Sequence, residues 1–355
     1  MSTHRRSTLP ARSALAAVLS IGILIAGGCA KSEPGVVTSY WPRAERERIV
    51  AKPVEPPRWP LTGLAALDAD ALQQRIISVK IENSPAARPQ TSLQRADVVY
   101  ESVAEGGITR FNAMFHSDLP EEAGPVRSAR LSDTFIVPQY GALFVFSGAS
   151  TTVNSAIRKT SIENLSEDAG VSYPYYRSTQ RAAPHNLFVV LSKAREEAKR
   201  RGMPTTLENK GLVFEKVASA ETTPTVTGID IPFSQANRVR WTYDAKSNSY
   251  LRENNGKAHT DRATGKQIAA TNVVVLWAKH EAATRDKFGS VTYRIVLTGS
   301  GRCSVFRDGQ RYDGTWEAGA DAPPTFKAED GTQIKLTPGN TWIQVVQPTV
   351  NITMK

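Results

Sequence analysis

Short apolar segments separated by turn-forming residues fill the chain after residue 61. The segment RIISVKIEN (75–83) is rich in β-branched residues and precedes SPAARPQ, which predicts a strand that ends in a turn. ADVVY (96–100) predicts a second strand. Apolar residues recur at every second position over 111–115, a spacing typical of a half-buried strand. GALFVFSGAS (141–150) is apolar up to a Gly-Ser loop and predicts a further strand.

Two segments among these strands have helical character. VNSAIRKTSIENL predicts a helix whose N-cap is Thr151 or Thr152. SKAREEAKRRG (192–202) predicts another, with Ser192 as its N-cap and Gly202 as its stop. Strands and helices together predict a mixed α/β domain over residues 61–215.

The remainder of the chain is richer in strands. Thr and Pro runs over 204–236 indicate a boundary, and segments such as RVRWTYD, NVVVLWA and VTYRIVL follow it. Asn-Gly or Asp-Gly pairs at 255–256, 308–309 and 330–331 are typical hairpin turns. The fold class is therefore α+β: a mixed α/β N-terminal domain followed by an all-β domain over 225–355, built as an antiparallel sandwich or barrel.

The first 29 residues have the features of an export signal. A basic segment containing Arg5 and Arg6 precedes the apolar SALAAVLSIGILIAGG, which ends at Cys29. The segment resembles a bacterial lipoprotein signal, whose cysteine is lipidated. An ordinary signal peptide cut nearby and an uncleaved anchor are the alternatives. Residues 30–60 contain six prolines and predict a semi-rigid tether.

Charge and location restrict the partners. The chain carries a net charge of +10, which falls to +7 without the signal. Such a balance favours anionic partners, namely lipid headgroups, envelope polymers or lipid-linked phosphates. We expect no nucleic-acid partner, because the basic residues are scattered and the protein is exported. We place it at the outer face of the cytoplasmic membrane.

Several familiar chemical motifs are absent. The chain has no G-x-x-x-x-G-K-[ST], no G-x-S-x-G and no H-E-x-x-H. Once Cys29 is lipidated, Cys303 has no disulfide partner. The histidines are widely separated, so we expect neither a metal site nor a cofactor.

Polar residues instead gather at predicted strand ends and in loops, where α/β domains usually assemble their sites. The candidate ligand-binding residues are Glu82, Glu101, Glu105, Arg110, Arg127, Ser128, Arg130, Arg181, His185 and Asn186.

The segment EEAGPVRSAR (121–130) raises a specific question. If Pro125 or Ser128 opens a helix, Arg127 and Arg130 lie in its first turn, where the helix dipole disfavours cations. Something else must then stabilise them. Either the nearby glutamates form ion pairs with the arginines, or an anionic ligand does, or both act together.

Two long stretches carry a resemblance to a known family. VKIENSPAARPQTSLQRADVVYESVAEGGITRFNAMFHSDLPEEAGPVRSAR with RAAPHNL resembles the first domain of the YerB-like bacterial lipoproteins. HTDRATGKQIAATNVVV, GSGRCSVFRDGQRYDGTW and GNTWIQVV resemble their second domain. The resemblance implies a two-domain envelope lipoprotein whose biochemical role is unassigned.

The order of a strand, a hairpin and GPVRSAR is loosely similar in layout to the core of the LytR–CpsA–Psr proteins. These are membrane-anchored transferases that hold a lipid pyrophosphate with several arginines. The similarity implies that Arg110, Arg127, Arg130 and Arg181 are phosphate ligands. It also implies that Glu101 or Glu105 serves a metal or a proton transfer.

The sequence thus predicts a lipid-anchored envelope protein that binds an anionic component or a protein partner through an arginine-rich site. The enzyme alternative is a transferase or hydrolase acting on a lipid-phosphate-linked glycopolymer. The third alternative is a structural scaffold, in which every arginine is buried against a carboxylate.

Overall fold

The computed structural model describes residues 55–215, 226–285, 289 and 291–355, and these belong to one compact unit. The predicted signal peptide, Cys29 and most of the predicted tether lie outside the described residues. The helices are α1 (Asp133–Tyr140), α2 (Thr151–Ile157) and α3 (Leu191–Arg200). The strands are β1 (Ile77–Glu82), β2 (Val98–Val103), β3 (Thr109–Phe115), β4 (Glu122–Ala123), β5 (Leu143–Phe146), β6 (Asn164–Ser166), β7 (Tyr175–Arg177), β8 (Leu187–Val190), β9 (Gly228–Pro232), β10 (Arg238–Asp244), β11 (Ser249–Asn254), β12 (Lys257–Ala258), β13 (Ala269–Ala270), β14 (Asn272–Trp277), β15 (Lys279–Arg285), β16 (Val291–Val296), β17 (Gly299–Arg307), β18 (Gln310–Ala318), β19 (Thr325–Lys327), β20 (Thr341–Val346) and β21 (Thr353–Met354).

A ten-stranded sheet runs through both halves of this unit, in the order β19-β18-β17-β14-β20-β2-β3-β1-β5-β6. Strand β20, from the C-terminal half, lies parallel to β2 on one side and to β14 on the other. The predicted fold class is confirmed, with helices and strands in the first half and strands in the second. The sequence did not indicate that one sheet would join the two.

The two faces of this main sheet are covered differently. On the first face, Trp342 packs against Phe111 and against Trp241 of a smaller sheet ordered β12-β11-β10-β9-β21. On the second face, the sheet packs against Ile136 and Tyr140 of α1. Both faces are buried, so β1 carries buried residues at all six positions.

The segment before α1 differs from the prediction. Residues 125–127 run beside β1, where Arg127 N–H donates to the Lys80 carbonyl at 2.9 Å and Glu82 N–H to the Pro125 carbonyl at 3.0 Å. The helix therefore begins only at Asp133, and the prediction of a helix opening at Pro125 or Ser128 is wrong. The local sequence pattern did not reveal that the backbone of residues 125–127 would form hydrogen bonds with β1.

The N-caps of the other helices also differ from expectation. Ser150, rather than Thr151 or Thr152, caps α2 by accepting from the Val153 N–H at 3.4 Å. Helix α3 begins at Leu191, so Ser192 lies inside its first turn. Gly202 follows α3 with φ +72°, as a C-terminal glycine does.

Within the described part of the chain, no helix combines the length and the hydropathy needed to cross a membrane.

Candidate functional site

A row of polar side chains lies on the second face of the main sheet. Because strand side chains alternate, Ser78, Lys80 and Glu82 project from β1 to the face opposite Val79 and Ile81. On β3, Asn112 and Arg110 lie opposite Lys80 and Glu82 respectively. The sheet therefore builds a buried polar layer that ends at the carboxyl end of β1.

The inner end of this layer is an ion pair between Lys80 Nζ and Asp133 Oδ1 at 2.6 Å, with both side chains almost fully buried. Asn112 Nδ2 donates to the same oxygen at 3.2 Å, and the Arg130 N–H donates to Asp133 Oδ2 at 2.7 Å. Burial lowers the pKa of Lys80, and Asp133 opposes that shift. Neither residue was predicted from the sequence, although a lysine at every-second spacing between Ser78 and Glu82 was the available signal.

Glu82 is the centre of the outer end. Its Oε2 is 2.9 Å from His185 Nδ1 and 3.2 Å from Arg127 Nε. Its Oε1 accepts from Ser84 Oγ at 2.9 Å and lies 3.8 Å from Arg110 Nη2. Although the Glu82 side chain is only 1% exposed, it has partners on both oxygens.

Arg110 is less well satisfied. Its Nη1 donates to the Thr109 carbonyl at 3.2 Å, and its buried Nε has no hydrogen-bond partner among the described residues. Burial lowers the pKa of Arg110 to about 10, and the neighbouring charges of Arg130 and Arg127 act in the same direction while Glu82 opposes them.

Arg130 pairs with Glu105, at 2.7 Å from Nε and 2.5 Å from Nη2 to Oε2. Its Nη1 also donates to the carbonyls of Ser128 and Ala129, both at 2.9 Å. Burial acts to raise the pKa of Glu105, but the charge of Arg130 and the hydrogen bonds to the carboxylate together outweigh it, so that pKa lies below its usual value. Thr292 Oγ1, from β16, donates to the other oxygen of Glu105 at 3.0 Å.

These side chains form what we call the arginine cluster, which contains Lys80, Glu82, Glu105, Arg110, Arg127, Arg130, Asp133 and His185. Leaving His185 aside, it holds four cations and three carboxylates.

Three predicted site residues lie beside the cluster with other partners. Ser128 Oγ is 3.5 Å from Ser147 Oγ. Arg181 donates to the carbonyls of Ala86 and Pro89, and no ion pair forms between it and a described carboxylate. Asn186 Nδ2 donates to the Ser178 carbonyl at 3.1 Å and so holds the hairpin between β7 and β8.

Glu101 belongs to the first face of the sheet, away from the cluster. Both of its oxygens accept from Arg252 Nη2 at 2.8 Å, and both side chains are fully buried. Arg252 Nη1 lies 2.5 Å from His259 Nδ1, and His259 Nε2 lies 2.6 Å from Gln90 Oε1. Because Arg252 can only donate, His259 carries its proton on Nε2. Burial, with the charge of Arg252, lowers the pKa of His259 well below its usual value.

The contacts of His185 limit the catalytic chemistry that the cluster can support. A serine-based triad needs the serine and the carboxylate on different imidazole nitrogens. Here Ser84 Oγ lies 3.4 Å from His185 Nδ1, the nitrogen that Glu82 already contacts. In the described residues, no three His, Cys, Asp or Glu side chains are placed to hold a metal ion.

The chain is thus a mostly β protein in which one sheet spans two sequence halves and carries a buried cluster with an excess of cations. Residues 61–204 match the family described as "Protein of unknown function (DUF3048) N-terminal domain", and residues 229–343 match the corresponding C-terminal domain. The chain belongs to this family, and the predicted resemblance is confirmed.

Two further comparisons agree. The chain is 30% identical over 295 residues to "Putative lipoprotein YerB" of Bacillus subtilis (strain 168), covering 81% of this chain and 85% of that protein. It is also similar to the crystal structure of the YerB protein from Bacillus subtilis, with a TM-score of 0.75 and 29% identity, covering 84% of this chain and 99% of that one.

Proposed function

We propose that the protein is a lipid-anchored component of the cell envelope that binds an anionic group at the arginine cluster. The observation that carries the proposal is Arg110. Its guanidinium is buried, its Nε is without a partner among the described residues, and its nearest carboxylate oxygen lies at 3.8 Å. A buried charge with an unpaired N–H is costly, and an oxyanion would supply the missing acceptor.

Arg127 is partly exposed and makes the cluster accessible to an anion. Arg127 contacts Glu82 at 3.2 Å and the Pro184 carbonyl at 3.5 Å, and 24% of its side chain is exposed. Its guanidinium can therefore turn toward a ligand while Glu82 keeps His185 as a partner. The ligand chemistry is that of a phosphate or carboxylate on an envelope polymer, a lipid-linked phosphate or an acidic protein.

Arg127→Ala is expected to weaken pyrophosphate binding to the purified full-length protein by about tenfold or more, because it removes one charge-assisted hydrogen bond. Isothermal titration measures the affinity. Arg177→Ala, which removes an exposed arginine paired with Glu167 at 3.0 Å, is the matched control and should bind as the wild type does. Equal affinity of Arg127→Ala and wild type would refute the anion site and favour the structural scaffold.

The enzyme alternative draws support from His185. Its Nδ1 is held by buried Glu82, and its Nε2 has no hydrogen-bond partner in the described part of the chain. A histidine oriented in this way beside Arg127 has the arrangement of a general acid or base. Product analysis after incubation with a phosphate-linked glycan separates this hydrolase or transferase alternative from binding alone.

Anchoring rests on Cys29 and on the relative whose name includes "lipoprotein". Cys29→Ser is expected to move most of the protein from the membrane fraction to the soluble fraction, since two acyl chains give stable anchoring and none gives little. Immunoblotting of fractionated cells measures the distribution. Retention of Cys29→Ser in the membrane fraction would point to an uncleaved apolar segment as the anchor.

A further inference from the structure

A second cation-rich site lies outside the arginine cluster. A cavity of about 310 Å³ opens between the loop that follows β1 and strand β12 of the smaller sheet. Its lining residues include Pro85, Arg88, Pro89, Lys257, Ala258 and Thr260, and none of the residues that line it is acidic. We call it the Arg88–Lys257 cavity.

Neither of its two cations is neutralised. Arg88 donates from Nε to Asn83 Oδ1 at 2.9 Å and from Nη2 to the Asn83 carbonyl at 2.8 Å, which fixes the guanidinium in place. No described carboxylate forms an ion pair with Arg88 or with Lys257. Lys257 is exposed, so its ammonium is free to reach a ligand.

Behind the wall of the cavity lies the buried pair of Arg252 and Glu101, whose charges offset each other. His259 lines the cavity, and Arg252 lies directly behind it at 2.5 Å from Nδ1. Burial, together with the smaller effect of the Arg252 charge and against the opposing charge of Glu101, lowers the pKa of Arg88 to about 10. An anion beside Arg88 would relieve this destabilisation of the charged guanidinium.

We infer that the Arg88–Lys257 cavity binds a phosphate ester, with the phosphate between the two cations and the organic part against Pro85, Pro89 and Ala258. The fixed guanidinium offers a planar fork to phosphate oxygens, and lysine adds a mobile point charge. The cavity lies at the lower end of the volumes that hold small ligands, so it suits one glycerol phosphate or sugar phosphate unit.

This inference is independent of the function proposed for the arginine cluster. The two sites share no residue. Glu82 ends β1 on the second face of the sheet. Arg88 instead contacts Asn83, whose Nδ2 donates to Glu101 on the first face at 3.3 Å. Variants in one site should therefore leave binding at the other unchanged.

Titration of the full-length protein with glycerol 3-phosphate, followed by amide chemical shifts, tests the inference. Lys257→Ala is expected to weaken binding about tenfold or more without disturbing the fold, since its ammonium forms no hydrogen bond or ion pair with a described residue. Lys266→Ala is the matched control, because Lys266 is exposed and its hydrogen bonds to described residues are made by its backbone, from its N–H to Thr264 Oγ1 at 3.2 Å and from the Asp261 N–H to its carbonyl at 2.9 Å. Lys266→Ala should bind as the wild type does.

Two ligand comparisons define the class. Glycerol without phosphate should not bind at millimolar concentration, and added salt should weaken binding of glycerol 3-phosphate. Tighter binding of glycerophosphoglycerol than of glycerol 3-phosphate would identify an internal phosphodiester as the ligand, and the reverse a terminal phosphate. Absence of binding at millimolar concentration, or equal affinity of Lys257→Ala and wild type, would overturn the inference.

Discussion

Glu101→Ala is expected to lower the free energy of unfolding by about 3–5 kcal/mol, because it leaves the buried guanidinium of Arg252 without its carboxylate. Both side chains are fully buried, and the Arg252 guanidinium lies 5.2–5.7 Å from the ring centres of Phe111, Trp241 and Trp342. Water cannot readily replace the lost acceptor in such surroundings. The pair joins strand β2 of the main sheet to β11 of the smaller sheet, so its loss weakens the contact between them.

Chemical unfolding with urea measures this change. Asp230→Ala is the matched control, since it removes the partner of Arg240 in a two-bond pair at 2.8 and 3.0 Å on the same small sheet. That pair is partly exposed, and its loss should cost about 1 kcal/mol or less. A Glu101→Leu, Arg252→Met double variant should be more stable than either single variant, because it leaves no buried charge. A cost for Glu101→Ala no larger than for Asp230→Ala would contradict the prediction.

Asp97→Asn and His116→Gln are expected to give the protein pH dependences of opposite sign. Asp97 accepts from the N–H groups of His116 at 2.7 Å and Ser117 at 2.8 Å, and burial raises its pKa to about 6. Burial lowers the pKa of His116 to about 4. The two residues are neighbours, and the shifted pKa values of both change their ionisation between about pH 4 and 6.

The signs follow from proton binding. Between pH 4 and 6 folded Asp97 holds more protons than the unfolded chain does, so its contribution to stability falls as the pH rises. Folded His116 holds fewer protons between pH 4 and 6.5, so its contribution rises with pH. Each amounts to about 3 kcal/mol at 1.36 kcal/mol per pKa unit, and in the wild type they largely cancel.

Urea unfolding at a series of pH values separates the two contributions. Asp97→Asn should gain roughly 3 kcal/mol of stability from pH 4 to 6.5, and His116→Gln should lose about as much over pH 4 to 6. The quantity to compare is the change in unfolding free energy with pH, because a constant offset from either substitution does not affect it. Parallel curves for both variants and the wild type would refute the compensation.

The sequence predicted the main strands well because their apolar residues are locally continuous. RIISVKIEN and GALFVFSGAS became β1 and β5 with only their ends trimmed. Helix starts were less predictable, since residues 125–127 pair with β1 and α1 begins only at Asp133. That pairing joins segments distant in sequence, and no local pattern encodes it.

The sequence predicted part of the candidate site. Glu82, Arg110, Arg127, Arg130, Glu105 and His185 do come together, since they flank strand ends of one sheet. Glu101 was grouped with them by nearness in sequence, but the alternation of side chains along β2 directs it to the other face, toward Arg252. The partner of Glu101 lies 151 positions away, in the half of the chain expected to form a separate domain.

The central position of β20 has a consequence for biogenesis. A chain is made from its N-terminus, yet β2 has no neighbour on one side until residues 341–346 arrive to lie between it and β14. The first half therefore emerges with an open, apolar strand edge, and such edges promote aggregation. Completion of the sheet must wait for nearly the whole chain, so we expect folding to be slow.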